Sequence, residues 1–133
     1  MPIIRKIKVF FTDYRGEIKD IFTKEKYDHC STVSFKKNAI RGNHFHKKSI
    51  QSSYILKGVF KVTSAKINKK TLKLNKIITK KINEGTFICH KEYEAHSYRC
   101  LSKNGLIIVF TKGVRGGINY EKDTFRLKNK IFN

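Results

Sequence analysis

The chain has 133 residues, enough for one domain to bury a sizeable core without disulfide staples. Its 39% hydrophobic content recurs along the whole length, which excludes a disordered chain, and no run approaches the ~20 apolar residues of a membrane helix. The net charge of +20 raises nucleic-acid binding, but the 30 cations are 24 Lys against 6 Arg, scattered evenly, so a specific nucleic-acid reader is not expected.

A field this positive still favours anionic small molecules. Residues 1–8 mix Arg5, Lys6 and Lys8 with isoleucine and lead into no long apolar stretch, so no leader segment is expected. Cys30, Cys89 and Cys100 are odd in number and form no metal-type pair. A reduced, cytoplasmic protein without membrane association is the simplest expectation.

Helical periodicity is weak, and short β-rich runs divided by turn residues dominate. In chain order the expected strands are 6–11, 30–36, 41–47, 52–56, 59–67, 72–82, 86–89, 95–101 and 106–111. Residues 20–26 fit either one short helix or a loop. Lys57-Gly58, the stretch 68–71, and Asn104-Gly105 supply turns, the last favouring φ > 0. After Thr111 the chain becomes polar, with Gly113, Gly116 and Gly117 reading as a turn and residues 113–133 as a tail laid across the barrel. With Pro2 the only proline and no linker, residues 1–133 read as a single domain with its barrel core at about 30–112. Many short, closely spaced strands predict an all-β sandwich or barrel.

The chemistry concentrates in His44-Phe45-His46 and in the run His96-Ser97-Tyr98. Residues i and i+2 of a strand share a face, so His44 pairs with His46, and His96 with Tyr98. If both faces line the interior, three imidazoles and a phenol converge. His29 and His90 read as ordinary surface or hydrogen-bonded structural histidines.

The spacing resembles the two motifs of the cupin family. In the first, Asn38 stands at the leading glycine, followed by His44, His46, Gln51 at the glutamate position, and Gly58. In the second, Gly85 leads, Lys91 replaces a proline, Tyr93 replaces a glycine, and His96 falls in place. The resemblance implies a single-domain cupin, a double-stranded β-helix or jelly-roll barrel. Metal cupins use three His and one Glu, whereas Gln51 offers a neutral amide. No cofactor is therefore the first expectation, with a divalent metal such as zinc on His44, His46, Gln51 and His96 as the alternative.

Two segments narrow the group. Asp13-Tyr14-Arg15-Gly16 and Arg41-Gly42-Asn43-His44 resemble stretches of nucleotide-sugar epimerases related to dTDP-4-dehydrorhamnose 3,5-epimerase. Arg41 to Lys47, followed by Gln51, is more similar still to the Arg-Gly-x-His-x-His-Lys pattern of nucleotide-sugar 3,4-ketoisomerases. The same string resembles the C-terminal cupin of capsular-polysaccharide-assembling reductases, which would carry a metal. Residues 120–125 are similar to closing segments of this broad group.

The ketoisomerase and epimerase resemblance implies a nucleotide-diphosphate sugar partner and, as in cupins of this group generally, a homodimer. His44 matches the epimerase base and His46 completes the isomerase pair. Arg15 and Arg41 match positions that bind the diphosphate, and Gln51 and His96 complete the substrate-binding set. Tyr98 is the candidate acid or enolate donor, with Tyr54 and Tyr93 as rivals. The implied reaction is proton transfer beside the keto group of a nucleotide-linked 4-keto-6-deoxyhexose. A metal-dependent oxygenase or lyase, a structural-metal domain, and a non-catalytic sugar-binding module are the competing expectations.

Overall fold

The computed structural model describes residues 2–113 and 117–128. The strands are β1 Ile3–Lys6, β2 Phe11–Asp13, β3 Gly16–Ile18, β4 His29–Lys36, β5 Ile40–Phe45 and β6 Ile50–Lys57. They continue as β7 Phe60–Ile67, β8 Leu74–Ile82, β9 Thr86–His90, β10 Glu94–Cys100 and β11 Asn104–Lys112, then helix α1 Gly117–Lys122 and β12 Phe125–Arg126. Two five-stranded antiparallel sheets form, in the orders β1-β9-β6-β11-β4 and β12-β5-β10-β7-β8, with β2-β3 as a separate hairpin. This is the all-β jelly roll expected from the sequence.

Alternation along the strands builds three layers of packing. Between the sheets, Phe35, Ile55, Ile88, Ile107 and Val109 of the first meet Phe60, Val62, Ile82, Tyr98 and Cys100 of the second. The opposite face of the first sheet carries Tyr54, Phe87 and Phe110, covered by Ile7, Phe22 and Tyr27. The outer face of the second carries Phe45, Ile67 and Ala95, covered by Phe125 and Leu127. Both outer covers come from segments that flank the barrel, so each irregular stretch has an apolar reason to lie where it does.

Several expected boundaries move. The N-terminal strand runs over Ile3–Lys6 rather than 6–11. Its partner β9 begins at Thr86, opposite Lys6, and the pairing closes with the Ile7 N–H donating to the Gly85 carbonyl at 2.8 Å. Ile7 is instead buried against Tyr54, Phe87 and Phe110. Residues 11–18 form a hairpin that the sequence reading missed. The Asp13 carboxylate accepts the Arg15 N–H at 2.9 Å, and Gly16 takes φ +137°, which suits a residue without Cβ. Residues 20–26 form a loop rather than a helix. β8 starts at Leu74, not 72, because Asn68 accepts the N–H groups of Lys70, Thr71 and Leu72 and winds them into a turn. The tail contains the six-residue α1. Gly116, read as part of the turn, lies outside the described residues. Among the described residues no helix is long and apolar enough to cross a membrane.

Candidate active site

Between the sheets, at one end, lies a cavity of about 280 Å³. Its polar wall holds Arg41, His44, Gln51, His90, His96 and Tyr98, and its apolar wall includes Val33, Phe35, Ile107 and Val109. Strand β10 presents Glu94, His96, Tyr98 and Cys100 inward by simple alternation, all buried.

Strand β5 needs more than alternation. His96 pairs with His44, but Ser97 pairs with Gly42, leaving Asn43 as an extra residue. Such a bulge breaks the period of two. Arg41 sits opposite Tyr98 and His44 opposite His96, so both side chains line the cavity although three positions apart. The bulge rests on backbone that side chains resist: Gly42 has φ +94° and Asn43 φ +63°. A Cβ on Gly42 would lie 2.8 Å from the His96 carbonyl oxygen. The glycine thus permits the close approach of β5 to β10 at the site.

The three sequence-predicted histidines converge. Ring centroids lie 4.8 Å apart for His44–His46, 4.9 Å for His44–His96 and 5.9 Å for His46–His96. His44 is half-buried, while His46 and His96 are buried. His46 Nδ1–H donates to the Asp123 carbonyl at 2.8 Å. Its Nε2 faces Gln51 Oε1 at 3.2 Å, a contact the imidazolium makes by donating. A neutral ring accepts the Gln51 amide N–H after a half-turn of that amide. His96 Nδ1–H donates to the Glu94 carbonyl at 3.1 Å, which leaves Nε2 as a lone pair. Burial, reinforced by His90, His44 and His46 around it, holds the His96 ring well below its usual range, so it is neutral.

Tyr98 is the phenol of this cavity. Its rivals lie elsewhere: Tyr54 packs on the opposite face of β6 with Phe87 and Phe110, and Tyr93 stacks on Phe45 outside the second sheet. Burial raises the Tyr98 pKa, partly offset by a hydrogen bond with Ser53, so the phenol keeps its proton.

His90, read from the sequence as structural, is part of the site. Its Nε2 lies 2.8 Å from Tyr98 Oη and its Nδ1 3.2 Å from the Glu94 carboxylate, and its ring stacks on His96 at 4.4 Å. The available signal was parity: on β9, His90 shares a face with core residue Ile88. Glu94 was missed too, and it shares the face of His96 two residues on.

Of the two arginines, only Arg41 reaches the cavity. Its guanidinium donates to the Ser34 carbonyl at 3.2 Å and lies over the Phe35 ring. Arg15 sits at the β2–β3 turn, exposed and bonded to Asp13 at 2.6 Å, and lines only a separate depression on the hairpin.

The segment 117–126 closes one side. The Asp123 carboxylate accepts the backbone N–H groups of Lys47, Lys48 and Ser49 at 3.0–3.2 Å, and the Ser49 hydroxyl at 3.0 Å. Phe125 and Arg126 pair with Phe45 and His44, extending the sheet beside the histidines.

Among the described residues one cluster offers metal-binding chemistry. The ligand nitrogens of His44, His46 and His96 all lie within 4.8 Å of one another. In His46 and His96 a backbone carbonyl takes Nδ1–H, the arrangement that orients a ligating ring, with His46 Nε2 beside Gln51 Oε1. The donor set therefore fits a divalent ion, with Gln51 beside it.

No protein-family profile and no curated protein sequence matches the chain. Solved structures do match. A dTDP-4-dehydrorhamnose 3,5-epimerase from Sulfolobus tokodaii superposes with a TM-score of 0.82 at 16% identity, covering 99% of this chain and 80% of that one. The enzyme of the same name from Elizabethkingia anophelis gives 0.79 at 13% identity, covering 96% and 75%. A sugar 3,4-ketoisomerase from Thermoanaerobacterium thermosaccharolyticum gives 0.74 at 18% identity, covering 96% and 88%. These are the two groups that the Arg-Gly-x-His and His-x-His strings resemble, and the chain shares their fold.

Proposed function

We propose that the protein isomerises or epimerises a nucleotide-linked 4-keto-6-deoxyhexose by proton transfer beside the keto group. The observation that carries this reading is that His44, His96 and Tyr98 line one cavity beside Arg41, with the His46 ring packed against His44 and His96. Two similar proteins support the substrate class. A 3,5-epimerase from Legionella pneumophila was crystallised with dTDP-4-keto-L-rhamnose, and a variant of the 3,4-ketoisomerase with TDP-4-keto-6-deoxyglucose.

The chemistry asks for one base near neutral pKa and one hydrogen-bond donor, and no cofactor. His44, half-buried at the mouth, serves as the base that takes the C–H proton. His46 stands beside it, fixed by Asp123 and Gln51. Tyr98, a phenol that holds its proton, faces the developing oxyanion. The 280 Å³ cavity lies at the lower end of ligand pockets and suits the hexose. The diphosphate then lies toward Arg41, whose planar fork matches phosphate oxygens. The protein works in the cytoplasm as a homodimer in this reading, and Arg15 lines a depression on its hairpin apart from the histidine cavity of its own chain.

The histidine cluster favours a second reading, a metal cupin. His44, His46 and His96 would hold a divalent ion with Gln51 as fourth partner, and the ion would supply Lewis-acid polarisation of a substrate oxygen. Elemental analysis of protein purified without chelators separates the two, since near-stoichiometric zinc or iron supports the second.

Incubation with TDP-4-keto-6-deoxyglucose in D₂O, followed by NMR, tests the first reading. Deuterium is expected at a carbon flanking the carbonyl or at the new carbinol. His44→Asn should lower the rate by roughly 10²–10⁴ while nucleotide still binds. Full activity in a protein carrying both His44→Asn and His46→Asn would remove these histidines as the bases and put the chemistry at an unrecognised site, whereas a wild type that binds the nucleotide sugar without turning it over would be a sugar-binding module.

A further inference from the structure

Behind the histidine cluster runs a second, fully buried array. Tyr98 Oη, His90 Nε2, His90 Nδ1 and the Glu94 carboxylate form one hydrogen-bonded line, with contacts of 2.8 Å and 3.2 Å. All three side chains are at most 5% exposed. The carboxylate at the far end accepts His90 Nδ1–H, which leaves Nε2 to accept the Tyr98 hydroxyl. This is the order of a hydroxyl, an imidazole and a carboxylate that activates an O–H group. The two ends face different spaces. Tyr98 lines the 280 Å³ cavity, and Glu94 lines a second one of about 200 Å³, with Pro2, Ser64, Lys66 and Lys76 around it.

In a 3,4-ketoisomerisation two protons change place. One leaves C3 for C4, and one leaves the C3 hydroxyl for the oxygen at C4. A single histidine base serves the first. We infer that Tyr98, His90 and Glu94 form a relay for the second, the oxygen-bound proton, and that the reaction is therefore isomerisation rather than epimerisation. This inference rests on the sugar-nucleotide reading above. The hydroxyl proton passes to Tyr98 Oη as the Tyr98 proton passes to His90 Nε2 and the His90 Nδ1 proton to Glu94. Glu94 is neutralised while the substrate carries the enediolate charge. The reverse sequence returns one proton to the oxygen at C4. No proton is gained or lost, and the electron pair that leaves the C3–H bond ends in the C4–H bond. Epimerisation restores the same carbonyl and has no hydroxyl proton to relocate. Tyr98 is the catalytic residue of this relay, and His90 and Glu94 act through it.

The test uses the full chain and TDP-4-keto-6-deoxyglucose, with kcat, KM, the solvent isotope effect and the product measured for wild type, Tyr98→Phe, His90→Gln and Glu94→Gln. The relay predicts a product with its keto group at C3. Each single variant should lose roughly 10²-fold or more in kcat at nearly unchanged KM. Glu94→Gln combined with Tyr98→Phe should be no slower than Tyr98→Phe alone, because a unit fails once. The solvent isotope effect on kcat should fall in Tyr98→Phe. An active wild type with an epimerised product, or with additive or absent losses in the variants, overturns the relay and leaves the sugar-nucleotide reading intact. A wild type inert on the sugar overturns both. Should Glu94→Gln or His90→Gln not fold, Tyr98→Phe decides alone, since it removes one hydroxyl from a cavity wall, and an unchanged kcat overturns the relay.

Discussion

Asp123 holds His46 twice, across 77 residues of chain: its carbonyl accepts His46 Nδ1–H at 2.8 Å, and its carboxylate gathers the N–H groups of the three residues that follow His46. One residue therefore sets both the tautomer of the ring and the path of the chain beyond it.

The expected outcome of Asp123→Ala is a loss of about 2–4 kcal/mol in stability, because one buried and two part-buried N–H groups lose a charged acceptor together. Urea unfolding measures it. The rate of the proposed reaction should fall as His46 loosens, and Asp123→Asn should be milder. A variant as stable as wild type would show that solvent replaces the carboxylate without cost.

Gly42→Ala places a Cβ 2.8 Å from the His96 carbonyl oxygen at a residue with φ +94°. Strained backbone of this kind costs about 1–3 kcal/mol. Relief requires β5 to move away from β10, which separates His44 from His96. Reduced thermal stability and reduced activity are expected together. A control at Gly16, where a Cβ would meet nothing within 4 Å though φ is +137°, separates backbone strain from the clash.

His96 makes stability depend on pH. Its folded pKa is held well below the ordinary 6.5, chiefly by burial, so the unfolded chain binds a proton that the folded chain refuses. Its contribution is complete above about pH 6.5 and declines as pH falls from there toward the folded value, with a slope of up to ~1.4 kcal/mol per pH unit. Denaturant midpoints measured between pH 8 and 5 should drop on the acid side, and His96→Gln should shallow that slope. An unaltered slope in the variant would assign the effect to other groups.

The sequence was readable where a period of two met a buried face. On β10 residues i and i+2 share a face, and the convergence of His96 and Tyr98 on the cavity followed from it. It was unreadable where another rule took over. The bulge at Asn43 puts Arg41 and His44 on one face, which strict alternation forbids. The hairpin at 11–18 depends on Asp13 bonding the Arg15 N–H, a side-chain event with no apolar pattern. His90 looked ordinary because its partners, Tyr98 and Glu94, are supplied by another strand. Arg15 matched a motif, yet the hairpin carries it to the surface.

The segment 117–126 has one more consequence, for the chain without it. Among the described residues every strand except β12 ends by Lys112, so the strands of both core faces are present without the strap. His46 would then lack its carbonyl partner, and the N–H groups of residues 47–49 would face water. A chain that lacked the strap would keep its core strands but stand at a chemically unfinished stage, short of the contacts Asp123 makes to His46 and residues 47–49. A protease that severed the chain ahead of Gly117 would leave that same stage as its end product.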